Sequence, residues 1–295
     1  YQQALQQIVA EAKAELTGHP LPLAARSNIN FAGMPVSRGY RKHMEELLEL
    51  QAGHTQTIFP FIAVDPRRPR IKNFLQQGTA SGKPIISRHG PFYGIKVYPP
   101  LGYHPGVRAL RDIYQWCAKP EVDLPVTAHC QPNSFYNKIC GSQLDPKSGK
   151  YFADPEHWET VLTNNENLRI NFAHFGGADN ILIAAGMKQP GAYPHDGSWT
   201  TRIISWIDAG RTNVYADVAA CSSPDIVEAV KRLVQQHPNL GKQLMFGTDY
   251  IICMLGDGLG GELDRYYTNF NDLSDDLLYG NAVRFLNTPM FREDP

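Results

Sequence analysis

The chain has 295 residues, about the size of one α/β barrel of ~250 residues and too long for a single small sandwich. Hydrophobic residues make up 42% and charged residues 19%, which supplies a core and argues against disorder. Lys+Arg number 28 against Asp+Glu 29, a net charge of −1, so no basic field exists to hold nucleic acid or an anionic membrane; no apolar run nears the ~18 residues of a spanning helix.

Residues 1–16 carry Leu5, Ile8, Val9, Ala12 and Leu16 at helical spacing and predict a helical flank over 1–27. The opening Tyr1-Gln2-Gln3-Ala4 lacks the charged and apolar stretches of a secretory signal. Five cysteines are an odd number without a CxxC pair or zinc-knuckle spacing, which fits a reduced, cytoplasmic protein.

From about residue 27 a rhythm begins. Short apolar or β-branched runs each end in polar, Gly or Pro residues and lead into a helical pattern. The runs are 27–32, 57–64, 94–98, 124–129, 168–174, 212–218 and 243–249. Helices are predicted over Arg41–Gln51, Val107–Ala118 and Asp225–Gln236. Strand and helix in alternation mean a parallel sheet, because only a crossover can return the chain in the same direction. No G-x-G-x-x-G or G-x-x-x-x-G-K-[ST] supports a nucleotide-binding sheet, so a (β/α)8 barrel over 28–295 is the expectation. Seven runs are one short of eight, and the missing first strand is expected upstream of Tyr1. The long loops 130–157 and 175–200 follow strand ends, where barrel active sites are built.

Three runs finish on a metal-capable side chain: His129, His174 and Asp249. Together they form a candidate site for a catalytic zinc, which keeps one position open for water. Asp249 can also take a proton from that water. Lys96, inside an apolar strand, is a substrate-carboxylate anchor, a carbamylated bridge between two metals, or a lysine paired with Asp65 or Asp217. Asp217 and Asp65 are weaker candidates, Asp65 being placed to cap the turn into Pro66. Arg67 and Arg68 read as a solvated surface pair or as a reader of an acidic substrate. Tyr98, Tyr103 and Tyr250, with Phe135, Tyr136, Phe152 and Trp158, either line a pocket for a planar substrate or pack the loops.

The ordered motifs FIAVDPRRP, GIKVYPPLGYHP, PVTAHC, NFAHFGG, NVYADVA, LMFGTDY and LSDDLLYGNAVRFLN resemble the amidohydrolase superfamily over roughly residues 28–287. The likeness is to its family 2, the barrel enzymes related to aminocarboxymuconate-semialdehyde decarboxylase. The resemblance implies one divalent ion, usually zinc, bound by His129 and Asp249. It makes His174 a metal or substrate contact, Asp249 a proton acceptor, and Lys96 a residue at the position carbamylated in two-metal branches. It also implies a first-strand His-x-His, which this sequence lacks throughout. A small-molecule hydrolase acting on C–N, C–O or lactone bonds is therefore expected, with Lys96, Tyr98, Tyr103 and Tyr250 positioning substrate. Non-oxidative decarboxylation and a catalytically silent binding barrel are the rivals, and a homodimer is the default assembly.

Overall fold

In the computed structural model the described residues are 29–30, 36–55, 57–132, 146–191, 198–249, 264–265, 268–270 and 275–289. Six of the seven runs form strands: β1 Phe61–Val64, β2 Gly94–Val97, β3 Val126–His129, β4 Ile170–Ala173, β5 Val214–Asp217 and β6 Leu244–Met245. Each pairs in parallel with its neighbour in sequence, in the order β1-β2-β3-β4-β5-β6. A doubly wound sheet reverses its strand order at a switch point. This sheet never reverses, so right-handed crossovers leave the helices on one face and the opposite face curls inward. That is the winding of an α/β barrel.

The crossovers are helices α2 Ile71–Gln77, α3 Arg108–Cys117, α4 Pro146–Ala153 with α5 Glu159–Asn164, α6 Ala178–Ala184 with α7 Ser198–Asp208, and α8 Pro224–Gln236. A further helix, α1 Arg38–Gly53, precedes β1, its N-terminus capped by the Ser37 hydroxyl accepting from the Tyr40 N–H at 3.2 Å. The three helices expected from periodicity are present, with their ends within three residues of the expected ones. The first run makes no strand among the described residues. Ile29 forms only an isolated antiparallel bridge to Thr79, and the Asn30 N–H binds the Gly78 carbonyl at 2.7 Å. The segment lies beside the end of α2 with the wrong polarity for the parallel sheet. The helix expected over 1–16 lies outside the described residues.

Side chains alternate across the strands. Ile62, Val64, Ile95, Val97, Val126, Ala128, Ile170, Phe172, Val214, Ala216 and Leu244 are buried against the helices in one continuous core. The other face carries Ala63, Lys96, Thr127, Asn171 and Tyr215 in one row, in register across five strands. Its N-terminal end is plugged by Phe285 of α9 Asn281–Leu286, which packs with Tyr215, Met245 and Phe61. Gly94 is required there: a Cβ would come within 2.4 Å of the Phe61 ring and 2.7 Å of the Pro125 carbonyl. The plug closes one end of the inner face, and the polar side chains gather towards the other.

Candidate active site

His129 is the last residue of β3 and is buried. Its ring lies 4.4 Å from that of Tyr98, one residue beyond β2, and 4.8 Å from that of His174. Burial, then His174 and Lys96, pushes the His129 pKa well below its ordinary value, so the ring is neutral near pH 7.

His174 follows β4 and turns the backbone into the left-handed region at φ 68°, with Phe175 at φ 50°. Such conformations cost of order 1–3 kcal/mol each for non-glycine residues. The turn is held from several sides. The His174 N–H donates to Asp217 Oδ1 at 3.0 Å, the Thr200 hydroxyl donates to the Phe175 carbonyl at 2.6 Å, and the Gly176 N–H donates to the Cys130 carbonyl at 3.0 Å. His174 Nδ1 lies 3.0 Å from the Ala219 carbonyl. A carbonyl only accepts, so Nδ1 carries the proton and the neutral ring keeps its lone pair on Nε2.

Asp217 ends β5 and is an organiser of this turn. Its Oδ1 also accepts from the Ala219 N–H at 3.1 Å, and its Oδ2 accepts from Asn171 Nδ2 at 2.7 Å. Asn171 is a residue that strand-end reasoning missed. Its signal was a polar side chain at the same level as Lys96 and Thr127 in neighbouring runs. Asn171 Oδ1 is buried and has no hydrogen-bond partner among the described residues, a vacancy that costs about 1–3 kcal/mol.

Lys96 sits mid-strand on the same inner face. Burial lowers its pKa below the ordinary lysine value, against the pull of Asp217, Asp249 and Cys130, which raise it. Of the two carboxylates considered for Lys96, Asp217 faces it. Asp65 is taken by Arg67, whose Nε and Nη2 bind the carboxylate at 2.9 and 2.7 Å while Nη1 binds the Leu101 carbonyl at 3.0 Å. The expected Asp65 turn cap is present as the Arg67 N–H donating to Oδ1 at 2.9 Å. Arg68 stacks over the Tyr40 ring at 4.2 Å, so the two arginines are tethered and not freely solvated.

Some expectations need correction or limits. Tyr103 does not offer its hydroxyl to a substrate. It is buried, accepts from the Tyr98 N–H at 2.6 Å and donates to the Val64 carbonyl at 3.3 Å, tying the ends of β1 and β2 together. Asp249 is not a strand end: β6 stops at Met245, and Asp249 lies beyond it in left-handed backbone at φ 53°. Gly247 in that connection packs on Ala219, where a Cβ would meet another Cβ at 3.0 Å. Tyr250, Phe135 and Tyr136 lie outside the described residues. Trp158 packs in the core against Tyr114 and Phe172.

The donor set was tested against a divalent ion. His129 and His174 fit as two imidazole ligands, adjacent, neutral in the case of His129, and with the His174 tautomer fixed by a backbone carbonyl as metal-binding histidines require. Asp249 does not complete them. No three His, Cys, Asp or Glu side chains gather closely enough to hold a metal among the described residues, and a catalytic zinc takes three protein ligands. The expected set of His129, His174 and Asp249 is therefore not assembled.

The amidohydrolase family 2 model matches residues 41–288. The chain belongs to this family. No curated protein matches the sequence. Among solved structures, an amidohydrolase from Burkholderia multivorans with bound zinc aligns with a TM-score of 0.54 and 11% identity, over 84% of this chain and 80% of that one. The 5-carboxyvanillate decarboxylase of Sphingomonas paucimobilis gives 0.53 and 12%, over 85% and 73%. A probable 2-pyrone-4,6-dicarboxylic acid hydrolase from Acinetobacter baumannii, with citric acid bound, gives 0.50 and 9%, over 83% and 78%. At such identities the likeness to these structures establishes a shared fold and no more. No helix among the described residues is long and apolar enough to cross a membrane.

Proposed function

We propose that the chain is a metal-dependent hydrolase of a small organic substrate, acting on a C–N, C–O or lactone bond at the C-terminal end of the sheet. The observation that carries this reading is the pair of imidazoles at 4.8 Å, one of them locked by a carbonyl so that Nε2 faces the reaction with a lone pair. In this reading His174 Nε2 takes and returns the proton of the attacking water, and Asp217 holds the His174 backbone in place. Lys96 supplies positive charge beside Asp217 and Asp249, and Asp249 is a second proton acceptor. Tyr98 covers one side of His129. Zinc, when bound, polarises a substrate carbonyl and acidifies water. His129 is the described residue suited to hold it, since the single lone pair of His174, on Nε2, serves the proton step.

The test is metal content per chain by plasma mass spectrometry, for the wild type and His129→Ala. About one zinc per wild-type chain, lost in the variant, is the expected result. A chain that takes up no metal when zinc is supplied refutes the metal-dependent reading. Products formed in ¹⁸O-labelled water then separate the two family chemistries, since hydrolysis incorporates label and decarboxylation releases CO₂ without it.

A further inference from the structure

Among the described residues, Asn171 is an inner-face side chain with an unused polar atom, and its orientation is fixed by chemistry. Asp217 Oδ2 lies 2.7 Å from the amide nitrogen, and a carboxylate only accepts, so the amide cannot be flipped and Oδ1 must face away from Asp217. That oxygen is buried without a partner, and the whole residue is 4% exposed. Its register partner on β3 is Thr127, whose own partner on β2 is Lys96. Paired residues of neighbouring parallel strands point to the same face about 4.8 Å apart. The row therefore presents a lysine side chain, a half-buried hydroxyl and a fixed carbonyl acceptor side by side, one step deeper than His129 and Asp217.

We propose that Asn171 Oδ1 and Thr127 form a recognition subsite for a carbonyl group that bears an N–H or O–H on the neighbouring atom, as at the edge of an amide, urea or imide. The Thr127 hydroxyl donates to the ligand carbonyl, and Asn171 Oδ1 accepts the adjacent N–H. An ester or lactone of the same shape lacks the hydrogen and leaves the buried acceptor unsatisfied, the situation in which sites discriminate most strongly. The subsite deepens the hydrolase reading and rests on the inner face being where substrate sits; it favours C–N over C–O substrates.

The experiment measures binding and not turnover, so an inactive protein still gives an answer. Ligand-detected NMR compares 2-piperidone with two rings that lack the donor, N-methyl-2-piperidone and cyclohexanone. The wild type is expected to prefer 2-piperidone by at least ~10-fold, and Asn171→Ala to bring the three within about twofold. If Asn171 served only to hold Asp217, the variant would weaken all three equally and the preference would persist, which overturns the proposal, as does a wild type with no preference. Should Asn171→Ala fail to fold, the wild-type Asn171 side-chain carbonyl ¹³C resonance gives the same decision. It moves on adding 2-piperidone and stays still with cyclohexanone if the subsite exists, and a resonance indifferent to both refutes it.

Discussion

The two ends of the sheet solve the same backbone problem with different residues. At the N-terminal end the left-handed positions are Asp123 at φ 50° and Asn287 at φ 44°, residue types that tolerate this conformation. Their side chains join a closed network. Arg169 pairs with the Asp123 carboxylate and donates to the Asp123 and Phe285 carbonyls at 2.9 and 2.7 Å. Asn287 Nδ2 donates to Asp123 Oδ2 at 2.7 Å, and Arg88 and Thr288 complete the ring. At the C-terminal end the left-handed positions are His174, Phe175, Ala220 and Asp249, and of these Phe175 and Ala220 carry no polar side chain to offset the strain. One ammonium there faces two carboxylates, and Asn171 Oδ1 goes unused. The first end is arranged for stability; the second keeps strain and unspent hydrogen-bonding capacity where a substrate can use them.

Substitutions at the two ends should therefore have opposite signatures. The largest effect on activity is expected from His174→Ala, which removes the Nε2 proton acceptor. It should lower kcat/KM by at least ~10²-fold while changing the urea midpoint by the equivalent of no more than about 1 kcal/mol. A variant that unfolds in step with its loss of activity would show that His174 is structural. Asp123→Ala should do the reverse. It leaves Arg169, only 13% exposed, without its carboxylate, and removes the acceptor of Asn287 just beyond α9, the helix that carries the plug. A loss of about 2–3 kcal/mol in urea unfolding is expected, below the full cost of breaking a deeply buried pair because both partners retain some solvent. The kcat/KM of the molecules that remain folded should be unchanged.

The sequence foretold these ends unequally. Strands and crossovers were legible because apolar runs and helical patterns alternate along the chain, and His129 and His174 were legible because each closes a run. Asn171 and Thr127 were not, since a single polar residue within a short strand gives no sign of which face it takes. Aligning the runs by register, with Lys96, Thr127, Asn171 and Tyr215 in one row, makes them visible. Tyr103 was misplaced because its hydroxyl is claimed by the Val64 carbonyl, 39 residues away in sequence, a contact that exists only once β1 and β2 lie side by side. Asp249 read as a strand end because the strand pattern continues past Met245, whereas the close approach of Gly247 to Ala219 accompanies an earlier end to the strand.

A smaller effect tests whether the arginines beside the active end act through charge. Burial alone raises the Asp65 pKa, but the hydrogen bonds and charge of Arg67, with the charge of Arg68, outweigh it and hold the carboxyl below its ordinary value. A carboxyl with a lower pKa in the folded state contributes stability that is complete above its unfolded pKa of about 3.9. That contribution is lost as the pH falls through the folded value. Arg67 is 45% exposed and Asp65 23%, so screening limits the pair to a few tenths of a kcal/mol up to about 1. Urea midpoints of the wild type and Arg67→Ala should therefore differ at pH 7 and converge towards pH 2. If the gap is the same at both, Arg67 contributes through its bond to the Leu101 carbonyl and its packing over Tyr103, and the charge on Asp65 is incidental.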